Sequence, residues 1–109
     1  MKPDVVIIAT GATPLIPEIP GVNNRNVITA SDLLLARKEV MEPIAVIGGG
    51  LVDCETSLYL AQKGKKVTVV EMLDAVADDL YLANRMYLIK LLSDANVKTI
   101  IGERALEIN

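Results

Sequence analysis

The sequence predicts an α/β fold in three layers, α/β/α, around a parallel sheet of about four strands. Three observations carry that reading. Short β-branched apolar runs recur at Val5–Ala9, Ile44–Ile47, Val67–Val70 and Val97–Ile101. Segments with helical spacing of apolar residues separate the last three runs. The stretch IAVIGGGLVDCE, Ile44 to Glu55, passes from a strand-like run through three glycines straight into a helix. Strands and helices that alternate in this way form parallel strands joined by right-handed crossovers, the Rossmann-like plan.

Each element has a local reason. Val5 to Ala9 reads as a short buried strand closed by the Thr10-Gly11 turn. In ATPLIPEIPGVNN, Pro14, Pro17, Pro20 and Gly21 exclude both a helix interior and a central strand, leaving an extended connector. Val27 and Ile28 read as a brief strand. TASDLLLARKEV opens a helix: Ser31 or Thr29 can cap it, Asp32 suits its positive end, and Arg37 and Lys38 suit its negative end. Pro43 separates that helix from the strand Ile44–Ile47.

Beyond the glycines, Leu51 to Lys63 places Leu51, Cys54, Leu58 and Ala61 on one helical face, and Gly64 is the expected left-handed stop. The strand Val67–Val70 ends at Glu71. Leu80 to Ala95 is a second long helix, with Leu80, Ala83, Tyr87, Leu88, Leu91 and Leu92 toward one side. Asn96 can repeat the left-handed stop before the last strand.

A chain of 109 residues carries one core, and with no Phe or Trp that core is aliphatic. A net charge of −3 with scattered basic residues argues against nucleic acid. The tight group Lys63, Lys65 and Lys66 borders a helix end and reads as a solvated turn. No apolar run approaches the ~20 residues of a membrane span. MKPDVVIIAT is broken by Asp4 and is not a signal peptide. The single cysteine excludes an internal disulfide and fits a reducing compartment, so a cytoplasmic location is expected. With no histidine and one cysteine, neither the commonest general base nor a metal site can be assembled.

The chemistry sits at the glycines. A helix start offers backbone N–H groups and a partial positive charge to an anion. Gly48 permits the sharp exit from the strand, and Gly50 lets a pyrophosphate reach the backbone. Gly49 and the amides of Leu51 and Val52 complete the expected cradle. Glu71 closes the next strand about 20 residues on, where a carboxylate takes adenine-ribose hydroxyls. It would repel a 2′-phosphate, and no arginine follows it, only Met72, Leu73 and Asp74; NAD(H) is therefore expected over NADP(H). The bland alternative is that the glycines only shape a turn.

Asp53 stands where such turns carry a small residue, and it is expected to crowd the helix–strand contact and to add negative charge beside the pyrophosphate. A favourable effect on the first turn of the helix is the opposing expectation. Cys54 reads as a small buried apolar residue. Tyr59, Tyr81 and Tyr87 read as partly buried amphipathic side chains.

DVVIIATGATPLIPEIPGV followed by IAVIGGGLVDCETSLYLAQKGKKVTVVEML resembles the pyridine nucleotide-disulphide oxidoreductase superfamily of flavoproteins, most of all its enoate reductase and dienoyl-CoA reductase-like members. The resemblance covers Pro3 to Ile108, and Asp53 departs from it. It implies that residues 1–42 hold an FAD-side ATG strand, connector and helix, and residues 43–109 part of a nicotinamide-dinucleotide domain. It places Gly48, Gly49 and Gly50 at the pyrophosphate, Glu71 at the ribose, Glu55 toward the nicotinamide side, and Thr10 and Gly11 beside the flavin domain. It implies an excised piece of a larger enzyme in which NADH passes hydride to FAD for reduction of an enoate-like substrate. FMN and an iron–sulphur cluster belong to the rest of such an enzyme, and no catalytic residue falls in this chain. The piece alone is expected to be catalytically inactive, and its partners are the dinucleotide and the missing FAD and substrate domains. Val5–Ala9 is expected to fill the open sheet edge beside Ile44–Ile47. The alternatives are a non-catalytic dinucleotide sensor and an assembly module that binds no nucleotide.

Overall fold

The computed structural model describes all 109 residues. In chain order the elements are α1 (Ala30–Leu34), β1 (Ile44–Ile47), α2 (Leu51–Gln62), β2 (Val67–Val70), α3 (Leu82–Asp94) and β3 (Lys98–Ile100). The strands form one parallel sheet in the order β1-β2-β3, with Ile44 beside Val67, Val46 beside Val69 and Val70 beside Ile100. This is the Rossmann-like α/β plan, built with three strands.

The sheet order advances steadily in one direction, so right-handed crossovers bring α2 and α3 to the same face. The two helices pack on each other there. Val67, Val69 and Val97 meet Cys54, Leu60, Leu88 and Leu92 in a single aliphatic core. On the opposite face Ala45 and Ile47 stay exposed. The described residues thus supply the sheet and one helical layer.

Helix ends follow the sequence signals. Gly64 and Asn96 both take left-handed backbone, with φ of 82° and 58°, and turn the chain from helix into strand. Thr29 caps α1, its Oγ1 accepting from the Asp32 amide at 3.1 Å. α1 is shorter than expected because Ala36 turns left-handed at φ 53°. The amide of Arg37 then closes back on the carbonyl of Asp32 at 2.9 Å and stops the helix before Arg37 and Lys38.

Four expectations are corrected. Val5–Ala9 is not a strand: Val5 to Ile8 are 71–86% exposed and the outer edge of β1 is unpaired. A strand exists only through a neighbour, and the extended connector leads this run away from the sheet. The Cα radius of gyration of 16.2 Å reflects that projection, against about 13 Å for a compact chain of ~100 residues. Val27 and Ile28 are irregular for the same reason, with no partner strand. Tyr81 and Tyr87 are 89% and 64% exposed rather than partly buried, whereas Tyr59, at 38% exposed, is partly covered as expected. Ala83 joins Tyr87 outside the core, because the buried stripe of α3 runs through Leu88 and Leu92 alone.

Candidate functional site

β1 ends where the Gly48 amide donates to the carbonyl of Val70 at 2.9 Å, the last rung before the chain leaves the sheet. Gly48 then takes φ 114°, a conformation that side-chain-bearing residues rarely adopt. Gly49 is buried against the end of β2: a Cβ there would lie 2.8 Å from the Cβ of Glu71. Gly50 caps α2 in extended backbone. The turn therefore needs glycine at Gly48 for its backbone angle and at Gly49 for space. Leu51 and Val52 open the helix, where their amides have no intrahelical acceptor and face outward along the axis.

Two carboxylates close on this turn. Glu71 is 8% exposed, and its Oε2 accepts from the Gly49 amide at 2.6 Å while its Oε1 accepts from the Leu73 amide at 2.7 Å. Each carboxylate oxygen has a further lone pair, so hydroxyl donors can still be taken. Asp53, one turn into α2, reaches back so that its Oδ2 accepts from the Gly50 amide at 3.1 Å. That oxygen lies 2.6 Å from the position a Cβ on Gly48 would occupy. The carboxylate thus fits because Gly48 has no side chain; it turns onto the glycine turn rather than into the helix–sheet contact. The crowding expected of Asp53 takes this form: an engaged amide, not a distorted core.

The surroundings hold Asp53 above the usual carboxylate range. Burial is the main cause; the Gly50 amide works against it, and the negative charges of Glu71 and Asp79 add to it. No salt bridge reaches any of these three carboxylates. Cys54 is fully buried, as its sequence context suggests, and its thiol sits 3.4 Å from the carbonyl of Gly49. Burial first, then the charge of Asp53, pushes that thiol up to about 11, so it is not a thiolate nucleophile at neutral pH.

The loop between β2 and α3 completes the site. Its Ala77 amide donates to the carbonyl of Gly49 at 2.6 Å, and Arg85 of α3 ties it down by donating to the carbonyl of Val76 at 2.9 Å. The structure brings together Gly48, Gly49, Gly50, Leu51, Val52 and Glu71 at the carboxyl ends of β1 and β2. Glu55 is exposed one turn further along α2. Thr10 and Gly11 lie in the exposed amino-terminal stretch and make no hydrogen bond to the turn. The Asp53–Gly50 bond has a sequence signal: the spacing of an N-cap and its third helical residue is that of a capping box. The Ala77 contact has none, since the loop carries no periodicity.

A donor set of this kind fits the diphosphate of a dinucleotide. Glycine space, outward helix-start amides and a carboxylate at the neighbouring strand end are the chemistry such a group needs. The family model described as "Pyridine nucleotide-disulphide oxidoreductase" matches residues 1–109. An NADH oxidase of Thermoanaerobacter brockii is 40% identical over 112 residues, taking in 99% of this chain and 17% of that protein. A cinnamate reductase of Clostridium sporogenes is 51% identical over 69 residues, 63% of this chain and 10% of its own length. A solved 2-naphthoyl-CoA reductase in complex with 2-naphthoyl-CoA superposes with a TM-score of 0.89 at 31% identity, over 93% of this chain and 15% of that one. The chain therefore spans between 10% and 17% of the length of these three proteins.

Proposed function

The chain belongs to the pyridine nucleotide-disulphide oxidoreductase family of flavin-dependent NAD(P)H oxidoreductases, and from that premise we propose that it is the nicotinamide-dinucleotide-binding portion of a larger FAD-dependent enzyme. Residues 43–109 hold the dinucleotide, and residues 1–42, with Thr10 and Gly11, lie on the flavin side. Gly48, Gly49 and Gly50 with the amides of Leu51 and Val52 take the diphosphate, Glu71 takes the ribose, and Glu55 lies toward the nicotinamide. Bound there, NADH is a hydride source for FAD held by the rest of the enzyme. The relative named as a cinnamate reductase supports an enoate-like substrate.

The observation that carries this reading is the position of Glu71. Its carboxylate lies 2.6 Å from the Gly49 amide, at the lip of the turn and at the end of the adjacent strand. A second negative group on the ribose would meet that buried charge, so NAD(H) is favoured over NADP(H). The test is the melting temperature of the chain titrated with NADH, NADPH and FAD. NADH at about 100 times its dissociation constant should add ~2.7 kcal/mol of stability. NADPH should add less, and Glu71→Ala should narrow the difference. A preference for FAD, or no response to any of the three, would overturn the proposal. The engaged Gly50 amide favours one other reading, an assembly module that binds no nucleotide; silence toward all three ligands would select it.

A further inference from the structure

The carboxylate of Asp53 stands where an anion would be held. Its Oδ2 takes the Gly50 amide at 3.1 Å and lies over Gly48, in the space its missing side chain leaves. Gly50 is the residue whose bare backbone lets a pyrophosphate come close. The neighbouring Gly49 amide is taken by Glu71. Of the amides at the turn, those of Leu51 and Val52 are thus left for a ligand. The chain carries its own anion on its anion-binding turn.

We propose that Asp53 is a resident competitor of the coenzyme diphosphate, so that binding requires its carboxylate to leave the Gly50 amide and becomes tighter when that carboxyl is protonated. The inference rests on the dinucleotide reading given above and adds to it an affinity-setting residue and a dependence on acidity. The two charged groups facing Asp53 both oppose a second negative charge: Glu71 from the end of β2 and Asp79 from the loop before α3. Cys54, its neighbour on α2, is a neutral thiol at neutral pH. No salt bridge neutralises these carboxylates, so an incoming diphosphate meets their charge uncompensated by a paired cation. A protonated Asp53 holds the Gly50 amide more weakly, by a neutral instead of a charge-assisted bond, and can itself donate to a phosphate oxygen.

NADH binding to the purified protein, read by its fluorescence across pH 5 to 8, separates the outcomes. In the native protein affinity should rise as pH falls. Asp53→Asn, which keeps the shape without the charge, should bind about tenfold tighter near neutral pH, the worth of one charge-assisted hydrogen bond. Its affinity should also be nearly flat with pH. Asp53→Gly should behave the same way if Asn at this position proves poorly folded. Equal affinity and an unchanged pH profile in the variants, with NADH still bound, would overturn the competitor role and leave the dinucleotide reading standing. No NADH binding by native or variant proteins, all with native circular dichroism, would overturn both.

Discussion

PDVVIIATG and PIAVIGGG, starting at Pro3 and Pro43, are close to twins: a proline, a β-branched run, then small residues. The second is β1, hydrogen-bonded along its length to β2 and packed under α2. The first pairs with nothing, and its side chains from Val5 to Ile8 lie in solvent. The same local pattern therefore has two fates. A β-branched run sets the capacity for a strand; a neighbour with free amides and carbonyls, and a helix to cover one face, decide whether the strand forms. β1 has both, because α2 follows it directly and returns the chain as β2. Val5–Ile8 leads instead into Pro14, Pro17 and Pro20, which cannot return it beside the sheet.

The comparison breaks most visibly in the core that β1 and β2 help enclose. Leu92 is 2% exposed, and it closes the contact between α3 and the sheet. Leu92→Ala should cost about 2–5 kcal/mol, the range for emptying a leucine site. Urea denaturation would show it as a lower midpoint with an unchanged slope. An effect under about 1 kcal/mol would mean that the layered region is no better packed than the amino-terminal run.

The glycine turn gives the next effect. A methyl group at Gly49 would lie 2.8 Å from the Cβ and 2.9 Å from the Cγ of Glu71. Gly49→Ala should therefore cost about 1–3 kcal/mol as an overpacking change. It should also weaken NADH binding, because Glu71 must move off the Gly49 amide. At Gly11, in the twin run, nothing lies within 4 Å of an added methyl. Only its backbone angle, φ 81°, opposes Gly11→Ala, so the smaller loss belongs there. Paired melting curves of the two variants test the ranking.

Most of the layered region was legible in the sequence because its signals are local. Gly64 and Asn96 stop helices by backbone angle, Thr29 caps by its own hydroxyl, and the valines of β2 alternate with the pleat. The site was legible as far as Gly48, Gly49, Gly50 and Glu71, which follow a strand–turn–helix–strand order. What was not legible depends on distant partners. Val5–Ala9 lacks a neighbour, Tyr81 and Tyr87 lack anything to pack on, and the loop that brings Ala77 to the Gly49 carbonyl has no pattern of its own. For Asp53 the sequence carries two opposed signals, a small-residue position in the glycine turn and a capping-box spacing from Gly50, and the amide that its carboxylate finds decides for the second.

Thr29→Ala removes the one side-chain cap of α1 and should cost ~1 kcal/mol, seen as a small fall in melting temperature. For Asp53→Asn the prediction is a direction with a pH window. Burial raises the Asp53 carboxyl above 3.8 in the folded chain, so the protonated form favours folding and the ionised form opposes it. That favourable contribution is complete below 3.8 and is lost as pH rises through the folded value. Asparagine never ionises and still offers an oxygen to the Gly50 amide. The variant should therefore melt higher than the native protein at pH 7, and the gain should fade as pH falls toward 3.8. A gain independent of pH would point to packing instead of charge.

The smallest effect belongs to the unpaired twin. Ile7 is 86% exposed, so Ile7→Ser removes little buried surface and should change stability by less than about 0.5 kcal/mol. The matching change in β1, Val46→Ser, places a hydroxyl against the core and should be clearly destabilising. The two substitutions delete similar side chains from similar sequences, so their difference measures what a neighbouring strand adds. If Ile7→Ser proved as costly as Val46→Ser, the run would have found a partner in solution. The open edge of β1 is the one place in this sheet where a parallel strand beside Ile44–Ile47 can still be added.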